Sequence, residues 1–107
     1  MSKEYLKMIW EKLPPDWIAV EDQTVLLKEL KREMSWIHKL RWKKMIVFAM
    51  ADYGDDIAVL LADNRIVEVH LTWQREFGRH WPHASLPMSL EEWLLSREED
   101  RKFREKA

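Results

Sequence analysis

The sequence predicts an α+β fold, with helices packed on one face of a small, mainly antiparallel sheet in the order α-α-β-β-β-α. Three observations carry this. Met45-Ile46-Val47-Phe48-Ala49-Met50 is an apolar run rich in strand formers and short for a helix, so it suits a strand buried on both faces. From Ile66 the pattern alternates: Val67, Val69, Leu71 and Trp73 fall on one face, Ile66, Glu68, His70 and Thr72 on the other. Apolar residues at helical spacing flank this stretch on both sides.

In chain order, Ser2 caps a first helix running to about Lys12, whose stripe is Tyr5, Leu6, Ile9, Trp10 and Leu13. Pro14-Pro15 ends it. Asp16 to Val20 is irregular or briefly extended, with Trp17 folding back on the first helix. Asp22 caps a second helix, Gln23 to about Leu40, with an inward stripe of Leu26, Leu27, Leu30, Met34 and Ile37 and the stem of Arg41. Lys39, Arg41, Lys43 and Lys44 then meet the negative end of its dipole. Three strands follow. Ala51 to Asp55 turns between the first two, Ile57 to Leu61 is the second, and Asp63-Asn64 is a tight hairpin before the third. That third strand has one buried face and one polar, wet face, and parity puts Trp73 on the buried one. Gln74 to Met88 is a long connection of the kind that often carries function. Ser89-Leu90-Glu91-Glu92 approximates a capping box for a last helix with Leu90, Trp93 and Leu94 inward. Beyond Ser96 the chain is almost wholly charged, so that helix is expected to leave the core from Arg97 onward.

The 107 residues suit a single domain spanning 1–107. With 47% hydrophobic and 35% charged residues the chain has the profile of a folded, soluble protein. A net charge of -1 gives no basic excess, which argues against nucleic acid as a partner. The absence of cysteine excludes disulfides, thiolate metal sites and thiol nucleophiles. No signal-type or membrane-spanning apolar run occurs, so a cytoplasmic location and no membrane partner are expected. Two glycines leave no phosphate-cradling loop, and no nucleophile with an oxyanion hole is identifiable; no cofactor is expected.

Two constellations remain. Glu68, His70 and Thr72 on the polar strand face, with Arg75, Arg79 and Trp81 in the following connection, combine an aromatic anchor with orienting charges, which suits protein recognition. Seven tryptophans against two tyrosines and three phenylalanines imply that some indoles line a surface. The alternative is a divalent-metal site of Asp52, Asp55, Asp56 and His70. A two-residue turn at Asp63-Asn64 would set position 57 against 70 and 55 against 72. On that alternative the protein is a small metal-dependent hydrolase or nuclease.

The order of several motifs resembles the SUKH superfamily of cell-wall-regulator-like and toxin-immunity domains. The pieces are Leu13-Pro14-Pro15-Asp16-Trp17, Gly54-Asp55-Asp56-Ile57-Ala58-Val59, Ile66-Val67-Glu68-Val69-His70 and Ser89-Leu90-Glu91-Glu92-Trp93-Leu94. The Asn-Gly-Gly usual after the first helix is replaced by the charged segment from Gln23 to Leu40. The resemblance implies a non-enzymatic binding protein, commonly one that neutralises a secreted toxin, and it supplies no catalytic residues. The leading reading is therefore a small protein-binding module of immunity type, whose partner is a protein such as a toxin, or a second copy joined through an open sheet face.

Overall fold

The computed structural model describes residues 3–34, 40–41, 43–73 and 84–106. Its elements are α1 (Lys3–Glu11), β1 (Trp17–Ala19), α2 (Thr24–Glu33), β2 (Met45–Ala51), β3 (Asp56–Leu61), β4 (Ile66–His70) and α3 (Leu90–Lys106). The class is α+β, around an antiparallel sheet in the order β1-β2-β3-β4. The sheet has one more strand than the three expected. Asp16 to Val20, which reads as at most briefly extended, pairs Trp17 with Ala51 and Ala19 with Ala49 along the edge of β2. Three residues are too few to show a period.

The helices lie on both faces rather than one, because β2 and β3 are apolar in both phases and each face needs a cover. Leu30 and Met34, with Leu26 and Leu27, pack on Val47, Ile57, Val59, Val67, Val69 and Leu71. On the opposite face Ile9 of α1 and Leu90 and Trp93 of α3 pack with Trp17, Phe48, Leu60 and Ile66. Val67, Val69 and Leu71 are buried as the alternation requires. A homodimer formed through an open sheet face has no such face to use among these elements.

Strand β2 bulges at Phe48: Val47 pairs with Val59 and Ala49 with Ala58. The extra residue turns Phe48 and Ala49 to the same face, beside Trp93. The Phe48 carbonyl accepts from Trp10 Nε1 and, continuing the β1–β2 register, from the Val20 amide, each at 2.9 Å. These two bonds tie α1 and the end of β1 to the bulge.

The β3–β4 hairpin turns through Ala62, Asp63 and Asn64, with Asn64 left-handed at φ 68°. Asp56 therefore faces His70 and Ile57 faces Val69, one position away from the register expected from a two-residue turn. Matching of apolar partners across the strands decides this: a one-step slip would set Ile57 against His70.

Helix α2 stops at Glu33, short of the expected Leu40, because Met34 is already extended at ψ 128°. Arg41 reaches back to the Lys31 and Met34 carbonyls, a basic closure of the helix end of the expected kind. Ser2 and Ile37 lie outside the described residues. At the other end of the chain the capping box forms, with Ser89 Oγ and Glu92 Oε1 each exchanging a 3.1 Å bond with the other residue's amide.

Helix α3 does not leave the protein after Ser96. Its guanidinium groups hold it down. Arg97 meets Glu68 and lies over the Trp17 ring, and Arg104 stacks on Tyr53 and pairs with Asp16. Long aliphatic stems let charged residues cover apolar surface.

Candidate functional site

The site is built where β4 runs out. Leu71 is the last residue buried in the α2 face, and its amide still bonds the Asp55 carbonyl at 3.0 Å. Beyond it the chain meets Glu33, the last residue of α2 and a carboxylate with no exposed surface. Glu33 Oε1 accepts from the Thr72 amide at 2.7 Å and from Thr72 Oγ1 at 2.9 Å, and Oε2 accepts from the Trp73 amide at 2.8 Å. Burial raises the Glu33 carboxyl above its ordinary range, a hydrogen bond to Glu29 raises it further, and the Thr72 and Trp73 donors pull it back. Glu29 is lowered, first by its hydrogen bond from Arg32.

This clamp fixes an unusual backbone. Trp73 sits at φ 60°, a left-handed conformation that costs a bulky residue about 1–2 kcal/mol. The turn reverses the parity of the strand. The indole, expected in the core, is 46% exposed. Its Nε1 donates to Asp55 Oδ1 at 3.1 Å, so the ring is held at its edge and open on its surface.

Next to it, Asp56 Oδ1 lies 2.7 Å from His70 Nδ1, on a His70 side chain that is largely exposed. Asp52 and Tyr53 occupy the exposed turn before β3. Trp73, Asp55, Asp56 and His70 thus form one continuous rim along the β3–β4 end of the sheet. Of the expected metal ligands only Asp56 and His70 meet, while Asp55 is engaged with Trp73. Among the described residues no three His, Asp or Glu side chains gather as a metal site would need.

The expected partner-binding residues separate. His70 is on the rim. Thr72 is turned to Glu33 and supports the rim from beneath. Glu68 is not on a wet face: its Oε1 accepts from Trp93 Nε1 at 2.6 Å and lies 2.6 Å from Arg97 Nε under α3. Burial raises its carboxyl, opposed first by Arg97 and then by the Trp93 bond. The outer edge of β4 is covered as well, through bridges from Val69 to Ala84 and Ile66 to Met88 and through Ser85, which bonds both main-chain groups of Glu68. Arg75, Arg79 and Trp81 lie outside the described residues, in the segment that Trp73 leads into.

Two features escaped the sequence. Glu33 reads as part of a charged, solvated helix face, and nothing local marks it as a clamp. Trp73 reads as core because strand parity is assumed to continue past Leu71. No family model, no curated protein and no solved structure matches the chain.

Proposed function

We propose that the protein is a binding module for another protein, and that Trp73 is the anchor of its binding face. The observation that supports this is the cost of the arrangement. A buried carboxylate takes hydrogen bonds from successive groups to hold a tryptophan in the left-handed region with its ring outward. Strain of this kind collects where function requires a particular side-chain placement. A large aromatic fixed before binding loses little conformational entropy on contact, and tryptophan is the residue type most enriched in interface hot spots. Asp55 beside the indole would help steer a cationic surface toward it. His70, whose ring nitrogen meets Asp56, adds a polar contact at the other end of the rim.

The partner class we propose is a toxin domain, neutralised by occupation of its surface. The SUKH-like order of motifs supports that part of the proposal, and the rim itself supports only the binding of a protein. The test uses the wild-type chain as bait, then titrates the purified partner by calorimetry against wild type and Trp73→Ala. Trp73→Ala should weaken binding by about 1–3 kcal/mol while the circular dichroism spectrum stays that of the folded protein. Equal affinity of the two proteins for the partner would sink the assignment of the anchor.

A further inference from the structure

The strands run between two ends of opposite charge. At one end Asp56 of β3 pairs with His70 of β4, and the turn beside them carries the exposed Asp52 and Asp55. This is the end of the Trp73 rim. At the other end Met45 of β2 pairs with Leu61 of β3, and the residues just before β2 are Lys43 and Lys44, both exposed. Among the described residues neither lysine has an ion-pair partner.

Lys43 and Lys44 flank a cleft of about 230 Å³ whose other walls are Leu61, Ala62 and Asp63. Asp63 is paired with Arg65, Oδ2 to Nε at 2.7 Å, so the net charge at the mouth is that of the two lysines. Leu61 and Ala62 are apolar, and lysine stems extend such a wall while their ammonium groups stay in water. An apolar cavity of about 150 Å³ accepts a benzene ring, so this cleft has room for the six-membered ring of an indole. Among the described residues Trp73 is the one tryptophan that is exposed. Its ring is held at the edge by Asp55, with Asp56 next in the chain. The rim thus presents a fixed indole with carboxylates beside it, and the cleft presents an apolar socket with two ammonium groups at its mouth.

We propose that the protein associates with itself head to tail, with Trp73 of one copy seated in the cleft of the next and Asp55 and Asp56 facing that copy's Lys43 and Lys44. The proposal rests on Trp73 being the anchor of the binding face, and it makes a second copy the occupant of that anchor when no other partner is present. The acidic turn meets two lysines, so the charges that approach are unlike. The contact joins two different surfaces at opposite ends of the strands. It is therefore heterologous and grows past two chains, as a row or a ring. Each contact is small, and a dissociation constant on the order of 100 µM is expected.

The test is sedimentation equilibrium of the full chain from about 10 µM to about 1 mM, which brackets that constant. Wild type should rise from the mass of one chain past that of two. Trp73→Ala should stay monomeric, and so should a double variant carrying Lys43→Glu and Lys44→Glu. Mixed in equal amounts the two variants should associate again and stop at two chains. The intact indole of one then enters the intact cleft of the other, and nothing is left to add a third. All three altered positions are exposed, and far-UV circular dichroism checks that the variants fold. A wild-type chain that stays monomeric throughout overturns the proposal, and so does a mixture of the variants that fails to associate. Wild type that binds another protein through Trp73 yet stays monomeric overturns the head-to-tail contact and spares the anchor. Trp73→Ala that binds that protein as tightly as wild type removes the anchor on which both readings rest.

Discussion

The two faces of the sheet are each closed over a glutamate, fully buried at Glu33 and half-buried at Glu68, and the two carboxylates are satisfied by different chemistry. On the α2 face, whose core is aliphatic, Glu33 accepts bonds from two main-chain amides and one hydroxyl. On the opposite face, Glu68 lies under an aromatic cluster, accepts a hydrogen bond from an indole and is ion-paired with a guanidinium. A carboxylate that binds amides dictates backbone conformation, and here it dictates that of Trp73. A carboxylate that binds side chains dictates where the element carrying them docks, and here it docks α3. Losing Glu33 should therefore disturb the proposed binding face, while losing the partners of Glu68 should loosen a helix.

The largest effect is expected on the aromatic face. Trp93 is fully buried, with its ring 5.3 Å from Trp17 and 5.6 Å from Phe48 in edge-on geometry. Trp93→Ala should cost about 3–5 kcal/mol in urea unfolding, from the cavity and from the loss of an indole donor to Glu68. Leu30→Ala supplies the matching cavity on the other face, at about 2–5 kcal/mol. If Leu30→Ala proves clearly the more damaging, the aromatic cluster is not the stronger of the two cores.

Next comes the clamp. Glu33→Ala removes the acceptor of two amides at the end of β4 and should cost about 2–3 kcal/mol. Glu33→Gln keeps an acceptor oxygen and should cost about half as much. Amide hydrogen exchange at Thr72 and Trp73 reads the effect locally, and protection unchanged in Glu33→Ala would disprove the clamp. Removal of everything after Ser96 follows. It takes the guanidinium away from Glu68 at a cost of about 1–3 kcal/mol, where the charged composition of that segment alone suggests almost none.

These cases mark what could be read from the sequence. The period of two in β4 was legible, since Val67, Val69 and Leu71 had to share one face. So was the capping box, because Ser89 and Glu92 act locally. Glu68 was not, since its partners Trp93 and Arg97 arrive from a helix about 25 residues away, and a glutamate in an alternating strand looks wet until that helix is placed. The charged end of α3 misled for the same reason. Asp56 and His70 were rightly brought near one another, but through a register that the turn residues alone placed one step off. Trp73 was lost because one left-handed residue ends the parity on which strand reasoning depends.

The pH dependence distinguishes the carboxyls that burial raises from those that hydrogen bonds lower. Glu33 and Glu68 both lie above their ordinary value of 4.5, burial being the first cause in each. The folded state then holds the proton more tightly than the unfolded state does. Stability therefore falls as pH rises from about 4.5 through the raised folded values. Glu29 and Glu92 are lowered, first by bonds from Arg32 and from the Ser89 amide, and the stability they contribute is lost as pH falls below 4.5. The maximum should lie on the mildly acidic side, and Glu33→Gln should flatten the decline above it. A wild-type profile that rises steadily from pH 5 to pH 8 would contradict the raised values.

The smallest effect bears most directly on function. Asn64 and Trp73 are both left-handed, at φ 68° and φ 60°. Asparagine tolerates that region, and a hairpin needs it there. Tryptophan does not, and a glycine at position 73 would relieve about 1–2 kcal/mol of strain. Against this stand the greater chain entropy that glycine loses on folding and the exposed indole bond to Asp55. The two nearly cancel, so Trp73→Gly should change stability by only about 0.5 kcal/mol, in the stabilising direction. Binding of the partner should fall at least tenfold in the same protein. A residue whose removal leaves the fold no worse and the activity lost is kept for what it contacts outside the chain. If Trp73→Gly instead destabilises the fold by several kcal/mol, the indole is holding the β3–β4 end together, and the clamp on Glu33 exists for the sheet and not for a partner.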